Sequence, residues 1–210
     1  PPLETCYTVG LGTREEMQHG ASLSQGHRLV KIKLDFTRHV EAVRWVREVR
    51  GDAAIIVDAN EGWDLPLLKR ILPDLVELGV EMIEQPLPRG ADRLLMGLAS
   101  PIPLCADESC TTRTSLPALL DSYQAINIKL DKSGGLTEAL ALADAARTAG
   151  LDVMVGNMCG TSLGMAPAFV VAGQARWIDL DGPLLLSADR AAPMRFDDGL
   201  VYPPQPELWG

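Results

Sequence analysis

The chain has 210 residues, 47% of them hydrophobic, which is enough to bury a substantial core and within the usual size of one barrel domain. A formal net charge of -9 argues against a nucleic-acid or anionic-membrane partner, and no apolar run approaches the roughly 20 residues needed to cross a bilayer. The Pro-Pro-Leu-Glu start has no basic segment followed by an apolar one, so a soluble cytoplasmic protein is expected.

Eight strand-like runs follow one another along the chain: CYTVG, LVKIK, AIIVD, VEMIE, PLCA, AINIK, DVMVG and ARWIDL. Between them lie helix-period stretches: the weakly apolar REEMQHGASLSQG, then EAVRWVREVR, PLLKRILPDLVEL, LPALLDS and EALALADAARTAG. Strand alternating with helix predicts a parallel α/β fold. A doubly wound sheet is disfavoured, because the Gly-rich first turn that announces its ligand is missing. A closed TIM-like barrel, one domain over residues 1–210, is therefore expected. The Pro- and Gly-rich tail, DDGLVYPPQPELWG, is expected to wrap the barrel as irregular structure.

Four cysteines without a CxxC pair make neither a disulfide framework nor a zinc site. Cys6 and Cys105 read as small buried thiols in strands, and Cys110 and Cys159 as packing or lining residues near the active face. His19, His27 and His39 fall in polar stretches and read as solvated surface positions.

The chemistry lies at the strand ends. Lys33, Asp58, Glu84, Asp107 and Lys129 each close a predicted strand, at intervals of 22 to 26 residues. That interval is close to one strand, one crossover and its loops, so a parallel barrel gathers all five at one mouth. Three acids crowded together repel unless a cation or protons compensate them. With no His or Cys nearby, their hard oxygens suit Mg²⁺, with Mn²⁺ as the alternative. Lys31 and Lys33, two apart in a strand, share a face, and facing inward spares two ammonium groups a burial against helices. Lys31 is then expected to lower the pKa of Lys33 toward working pH. Lys129 comes from the opposite wall. Two bases facing each other across a metal-held carboxylate can remove a proton from one face of a carbon and return it to the other. Asp179 and Asp181 share a face by the same period and offer a site for a cationic group, with a DxDG turn as the competing reading. Met158 and Thr161 are expected to line the pocket.

The ordered set KIK, VDAN, IEQP, ADES and NIKLDKSGG resembles the barrel domain of the enolase superfamily, in its muconate-lactonising (mandelate racemase/muconate lactonising enzyme) subgroup. The motif DLDGPLLL is similar to that of the dipeptide epimerases within it. The resemblance implies a (β/α)7β barrel in which Asp58, Glu84 and Asp107 bind Mg²⁺ and Lys33 and Lys129 are the paired acid and base catalysts. Lys31 would assist the substrate carboxylate and its enolate. Asn60 and Glu108, each beside a ligand, would orient the ligands or metal-bound water. Asp179 and Asp181 would hold a dipeptide's free ammonium. The implied enzyme is an isomerase, an Mg²⁺-dependent epimerase of an L-Ala-D/L-Glu type. The alternatives are an N-acylamino acid racemase, an o-succinylbenzoate synthase, a cycloisomerase, or a catalytically silent metal-binding barrel. Such enzymes usually carry an N-terminal capping domain, whereas this chain opens at barrel strand one, so the cap is expected to be absent. A small carboxylate substrate, that cap and a second copy of the chain are the candidate partners.

Overall fold

The computed structural model describes residues 1–210. Eight parallel strands form one sheet in strict chain order: β2 (Tyr7–Val9), β3 (Leu29–Lys33), β4 (Ala54–Asp58), β5 (Val80–Glu84), β6 (Leu104–Ala106), β7 (Ala125–Ile128), β8 (Asp152–Val155) and β9 (Trp177–Ile178). The sheet closes on itself where Cys6 N donates to Ile178 O at 2.8 Å, beside a bond from Leu180 N to Thr5 Oγ1 at 3.0 Å. The expected barrel is the fold observed.

The crossover helices are α1 (Arg14–Leu23), α2 (His39–Val49), α3 (Leu65–Glu77), the single turn α4 (Leu130–Ser133) running into α5 (Leu136–Thr148), and α6 (Ser162–Ala172). The weakly apolar α1 is secured at its start by a capping box. Thr13 Oγ1 accepts from Glu16 N, and the Glu16 carboxylate accepts from Thr13 N. In α3, Asp64 takes Leu67 N at 2.8 Å and the stripe Leu68, Ile71, Leu72 and Leu75 is buried. None of the helices is long and apolar enough to cross a membrane.

Four expectations need correction. LPALLDS does not make an α-helix: a 3-10 turn spans Leu116–Ala118, and a second, Asp92–Leu95, sits between β5 and β6. The apolar pair Leu116 and Leu119 is three apart, so one tight turn buries both, and a longer helix would gain only the exposed Leu120. ARWIDL pairs only over Trp177–Ile178, since Asp179 and Asp181 leave the ladder at the barrel mouth. The tail is not irregular. Its β10 (Phe196–Asp197) and β11 (Leu200–Val201) form a hairpin that pairs with β1 (Leu3–Glu4) below the barrel, and α7 (Pro206–Trp209) ends the chain. Asp198 and Gly199 both have positive φ, 49° and 74°, the backbone a two-residue primed turn requires. Finally, His27 and His39 are buried: His27 Nδ1 lies 3.0 Å from Thr5 O, and His39 meets Trp63 edge to face. His27 is buried because its polar groups are satisfied, the ring by Thr5 O and the backbone carbonyl by Arg50 Nη2 at 2.6 Å, with Tyr7 packed edge-on at 5.4 Å.

The main core, 47 buried residues, fills the layer between sheet and helices. A smaller cluster of Ile56, Met82, Cys105, Ala125, Met154 and Trp177 fills the barrel itself and forms a floor beneath the mouth.

Candidate metal centre and active-site cleft

The site grows out of that floor by one step of the strand period. Two residues beyond Ile56, Met82, Cys105, Ala125 and Trp177 come Asp58, Glu84, Asp107, Asn127 and Asp179, on the same inward face. On β3 the same face carries Leu29, Lys31 and Lys33. Backbone strain fixes the ends of two strands. Asn60, Glu61 and Gln85 all have positive φ just after Asp58 and Glu84. Gln85 braces the neighbouring loop through its amide, accepting from Asp107 N at 2.9 Å and Ser109 N at 3.1 Å, and donating to Leu87 O and Tyr123 Oη.

One ligand oxygen each from Asp58, Glu84 and Asp107 lies within 4.8 Å of the others, with all three residues buried. Four ammonium groups surround them. Lys31 Nζ stands 3.1 Å from Asp58 Oδ2, 2.7 Å from Glu84 Oε2 and 2.8 Å from Asp179 Oδ2. Lys33 Nζ reaches the same Asp58 oxygen at 2.6 Å and Asn60 Oδ1 at 2.9 Å. Lys129 Nζ donates to Asp107 Oδ2 at 2.6 Å, and Lys132 Nζ binds the other oxygen of Asp107. Lys33 leaves β3 and Lys129 follows β7, four strands apart in a ring of eight, so they stand on opposite walls. Both line a cleft of about 320 Å³ with Lys31, Asp107, Asp179 and Asp181.

Electrostatics divides the acids. Burial opposes ionisation of Asp58 and Asp107, but Lys31 and Lys33 hold the first below the usual carboxylate range, and Lys132 and Lys129 hold the second well below it. Glu84 is pushed up to about 7 by burial and by the Asp58 charge. The pair beyond it splits the same way. Asp179 is lowered, because Lys31 outweighs its burial, and Asp181 rises to about 7 through burial and the Asp179 charge. Burial opposes the Lys31 and Lys129 charges, yet their carboxylate partners raise both, Lys31 well above the ordinary range.

Asn60 and Glu108 join at 3.1 Å, Asn60 Nδ2 donating to Glu108 Oε1, and both border the cleft. Asp179 and Asp181 line it too, but Asp179 is engaged by Lys31, Asn157 and Cys6, and Asp181 Oδ2 accepts from Thr8 N at 2.6 Å. They do not share a strand face, because β9 ends at Ile178 and Asp181 leads a 3-10 turn, Gly182–Leu185. Met158 and Cys159 border the cleft. Thr161 does not: it heads α6, with its hydroxyl 3.4 Å from Arg190 Nε. Sequence reading missed Asn127, Asn157, Thr8 and Lys132. Asn127 was within reach, since the period that pairs Lys31 with Lys33 also puts Asn127 on the face of Lys129. Lys132 had no such signal, because it acts from the turn α4.

The three acids fit a divalent cation on chemical grounds. All offer hard oxygen, no sulfur or nitrogen ligand intrudes, and Glu84 Oε2 lacks an aligned hydrogen bond although fully buried.

A sequence model of the enolase C-terminal domain-like family matches residues 15–207. The chain is 46% identical over 204 residues to an N-acetyl-D-glutamate racemase of Pseudoalteromonas sp, covering 97% of this chain and 65% of that protein. It is 44% identical over 200 residues to the L-Ala-D/L-Glu epimerase of Escherichia coli, covering 94% and 62%. A crystal structure of an enolase family member from Agrobacterium tumefaciens, with homology to dipeptide epimerases, matches with a TM-score of 0.94 and 46% identity over 100% of this chain and 64% of that one. That protein was solved with sodium and L-Ala-L-Glu, and a further relative with Mg and a dipeptide. The chain thus spans under two thirds of the length of these relatives. With the family match running over nearly the whole barrel, and a solved relative superposing on all of it, the chain belongs to the enolase C-terminal domain-like family.

Proposed function

We propose that this barrel carries the active site of an epimerase or racemase that removes and returns the α-proton of a carboxylate compound, with a dipeptide as substrate class. The observation that carries this reading is the pair Lys33 and Lys129, set on opposite walls of one cleft around three buried carboxylates. Lys33 and Lys129 are the two proton-transfer groups, one taking the α-proton at Nζ and the other protonating the opposite face. Asp58, Glu84 and Asp107 are the residues that would hold the metal, Mg²⁺ or Mn²⁺, and the bound ion would stabilise the charge left on the substrate carboxylate. Lys31 neutralises the acids from below. Asn60 fixes the Lys33 ammonium and links it to Glu108. Asp179 and Asp181 present their carboxylates toward a free peptide ammonium.

A second substrate class, N-acyl amino acids, has its own support. One of the most similar relatives is named an N-acetyl-D-glutamate racemase, and Asp179 already has Lys31 as a cationic partner. The loops around the mouth also expose Leu11, Phe36, Met158 and Leu185, an apolar rim that supports closure by a further protein element, from the same polypeptide or a partner.

The test is solvent-deuterium incorporation at the α-carbon of dipeptides and N-acyl amino acids, with and without Mg²⁺, read by mass spectrometry. Metal-dependent labelling of dipeptides is the expected result. Labelling confined to N-acyl amino acids transfers the assignment to the second class. Labelling that survives Lys33→Ala or Lys129→Ala sinks the two-base reading.

A further inference from the structure

Asn127 and Gly156 deepen the metal-site reading and rest on it. Asn127 is fully buried on the inward face of β7, and its Nδ2 donates to Glu84 Oε1 at 2.7 Å. Chemistry fixes which end of the amide faces Glu84, because an amide oxygen there would confront a carboxylate oxygen. One oxygen of Glu84 is thereby occupied. The other, Oε2, is buried with the Lys31 ammonium at 2.7 Å but no aligned hydrogen bond, and one Glu84 oxygen lies within 4.8 Å of ligand oxygens of Asp58 and Asp107.

The Asn127 amide is wedged from the far side. A Cβ built on Gly156 would stand 2.7 Å from both Nδ2 and Oδ1 of Asn127, closer than real Cβ contacts allow. Gly156 has no positive φ, so its backbone does not demand glycine; the space taken by Asn127 does. Asn127 Oδ1 is buried and has no partner of its own, so the amide is held here for its N–H contact with Glu84.

We propose that Asn127, seated against Gly156, is a positioning residue that occupies one oxygen of Glu84 and so restricts Glu84 to single-oxygen coordination of the metal. Restriction of this kind sets cation choice. Mg²⁺ demands a small octahedral shell, whereas Ca²⁺ accepts bidentate carboxylates and more ligands. Freeing Oε1 lets Glu84 turn both oxygens to the ion and shifts the site toward Ca²⁺. Groups beside a ligand typically alter metal affinity by about 10- to 100-fold.

The experiment titrates Mg²⁺ and Ca²⁺ calorimetrically into the wild-type chain, Asn127→Leu and Gly156→Ala, with thermal melting to establish folding. In both variants Mg²⁺ affinity is expected to fall roughly 10-fold while Ca²⁺ affinity stays nearly unchanged, so the Ca²⁺:Mg²⁺ preference rises by about 10-fold. A Gly156→Ala/Asn127→Ser double variant relieves the crowding without restoring the amide, and should recover melting temperature but not selectivity. Equal losses for both cations, or none, would overturn the proposal, since a merely structural role moves them together. If Asn127→Leu does not fold, Gly156→Ala decides, because it keeps every ligand and the amide. A wild-type chain that takes up neither cation refutes the metal site itself; wild-type binding with unchanged selectivity in the variants refutes only the role of Asn127.

Discussion

Two layers of the same strands, one residue pair apart, have opposite chemistry. The floor of Ile56, Met82, Cys105, Ala125, Met154 and Trp177 is dry and apolar; the layer above holds Lys31, Asp58, Glu84, Asp107, Asn127 and Asp179, all buried. The floor lowers free energy by leaving water, and any similar volume of apolar atoms would serve. The upper layer spends stability on desolvated charge, and its lysines and acids hold each other in place only because every charge has an opposite in contact. The floor keeps water from reaching those charges from below and fixes their spacing. The difference teaches that the mouth of this barrel is a set of mutually dependent ions standing on a set of interchangeable fillers.

The sharpest break in that comparison comes from the lysines. Lys33→Ala and Lys129→Ala should each lower turnover by about 1,000-fold or more while leaving Mg²⁺ uptake largely intact, measured by deuterium exchange and calorimetry. In the floor, Met82→Ala should do the reverse. It is expected to cost about 2–5 kcal/mol in urea unfolding, with turnover per folded molecule little changed. Between the two, Lys31→Met tests whether the upper layer is held by charge. It leaves Asp58, Glu84 and Asp179 short of a buried cation, for a loss of about 3–5 kcal/mol that saturating Mg²⁺ should partly restore. An unfolding curve that is the same with and without the lysine would show that protons, not Lys31, neutralise the acids.

Acidity offers a gentler probe. Glu84 titrates at about 7, so below that pH the folded chain carries a proton that a cation must displace. Mg²⁺ affinity should weaken by up to about 10-fold per pH unit on the acid side of 7 and level off above it, by calorimetry across that range. The sign for stability is the opposite one. A carboxyl group raised in the fold favours folding below its unfolded pKa and loses that contribution as the pH rises through about 7, so the metal-free protein gives up this term as the pH rises. The smallest effect lies outside both layers. Glu48→Gln breaks an exposed pair with Arg14 and should change stability by no more than about 0.5 kcal/mol.

Much of this was legible in the sequence, for reasons tied to particular residues. AIIVD is a continuous apolar run ending in a charge, the pattern of a strand buried on both faces that reaches water only at its end; VEMIE and AINIK end in a charge too, broken only by Glu81 and Asn127, and all three became barrel strands. The recurrence of those charges brought Lys33, Asp58, Glu84, Asp107 and Lys129 together as expected. The hairpin was legible and overlooked: Asp198-Gly199 between Phe196 and Val201 is a primed-turn signal, masked by the prolines that follow. The turn at Leu116–Ala118 was not legible, because apolar residues three apart suit a 3-10 turn and an α-helix alike.

What the sequence determined by itself was the order of elements, the face each strand turns inward and the charges at its end, because these depend on local propensity and a period of two. Which ion touches which was decided by the closed barrel. Lys31 binds Asp58 on the adjoining β4, Glu84 on β5, and Asp179 just past β9, a segment that comes beside β3 only because the ring closes through Cys6 and Ile178. The raised Glu84, the split between Asp179 and Asp181 and the fit of Asn127 against Gly156 likewise depend on distances of a few ångströms between segments far apart in the chain, and Coulomb and packing forces are set by those distances.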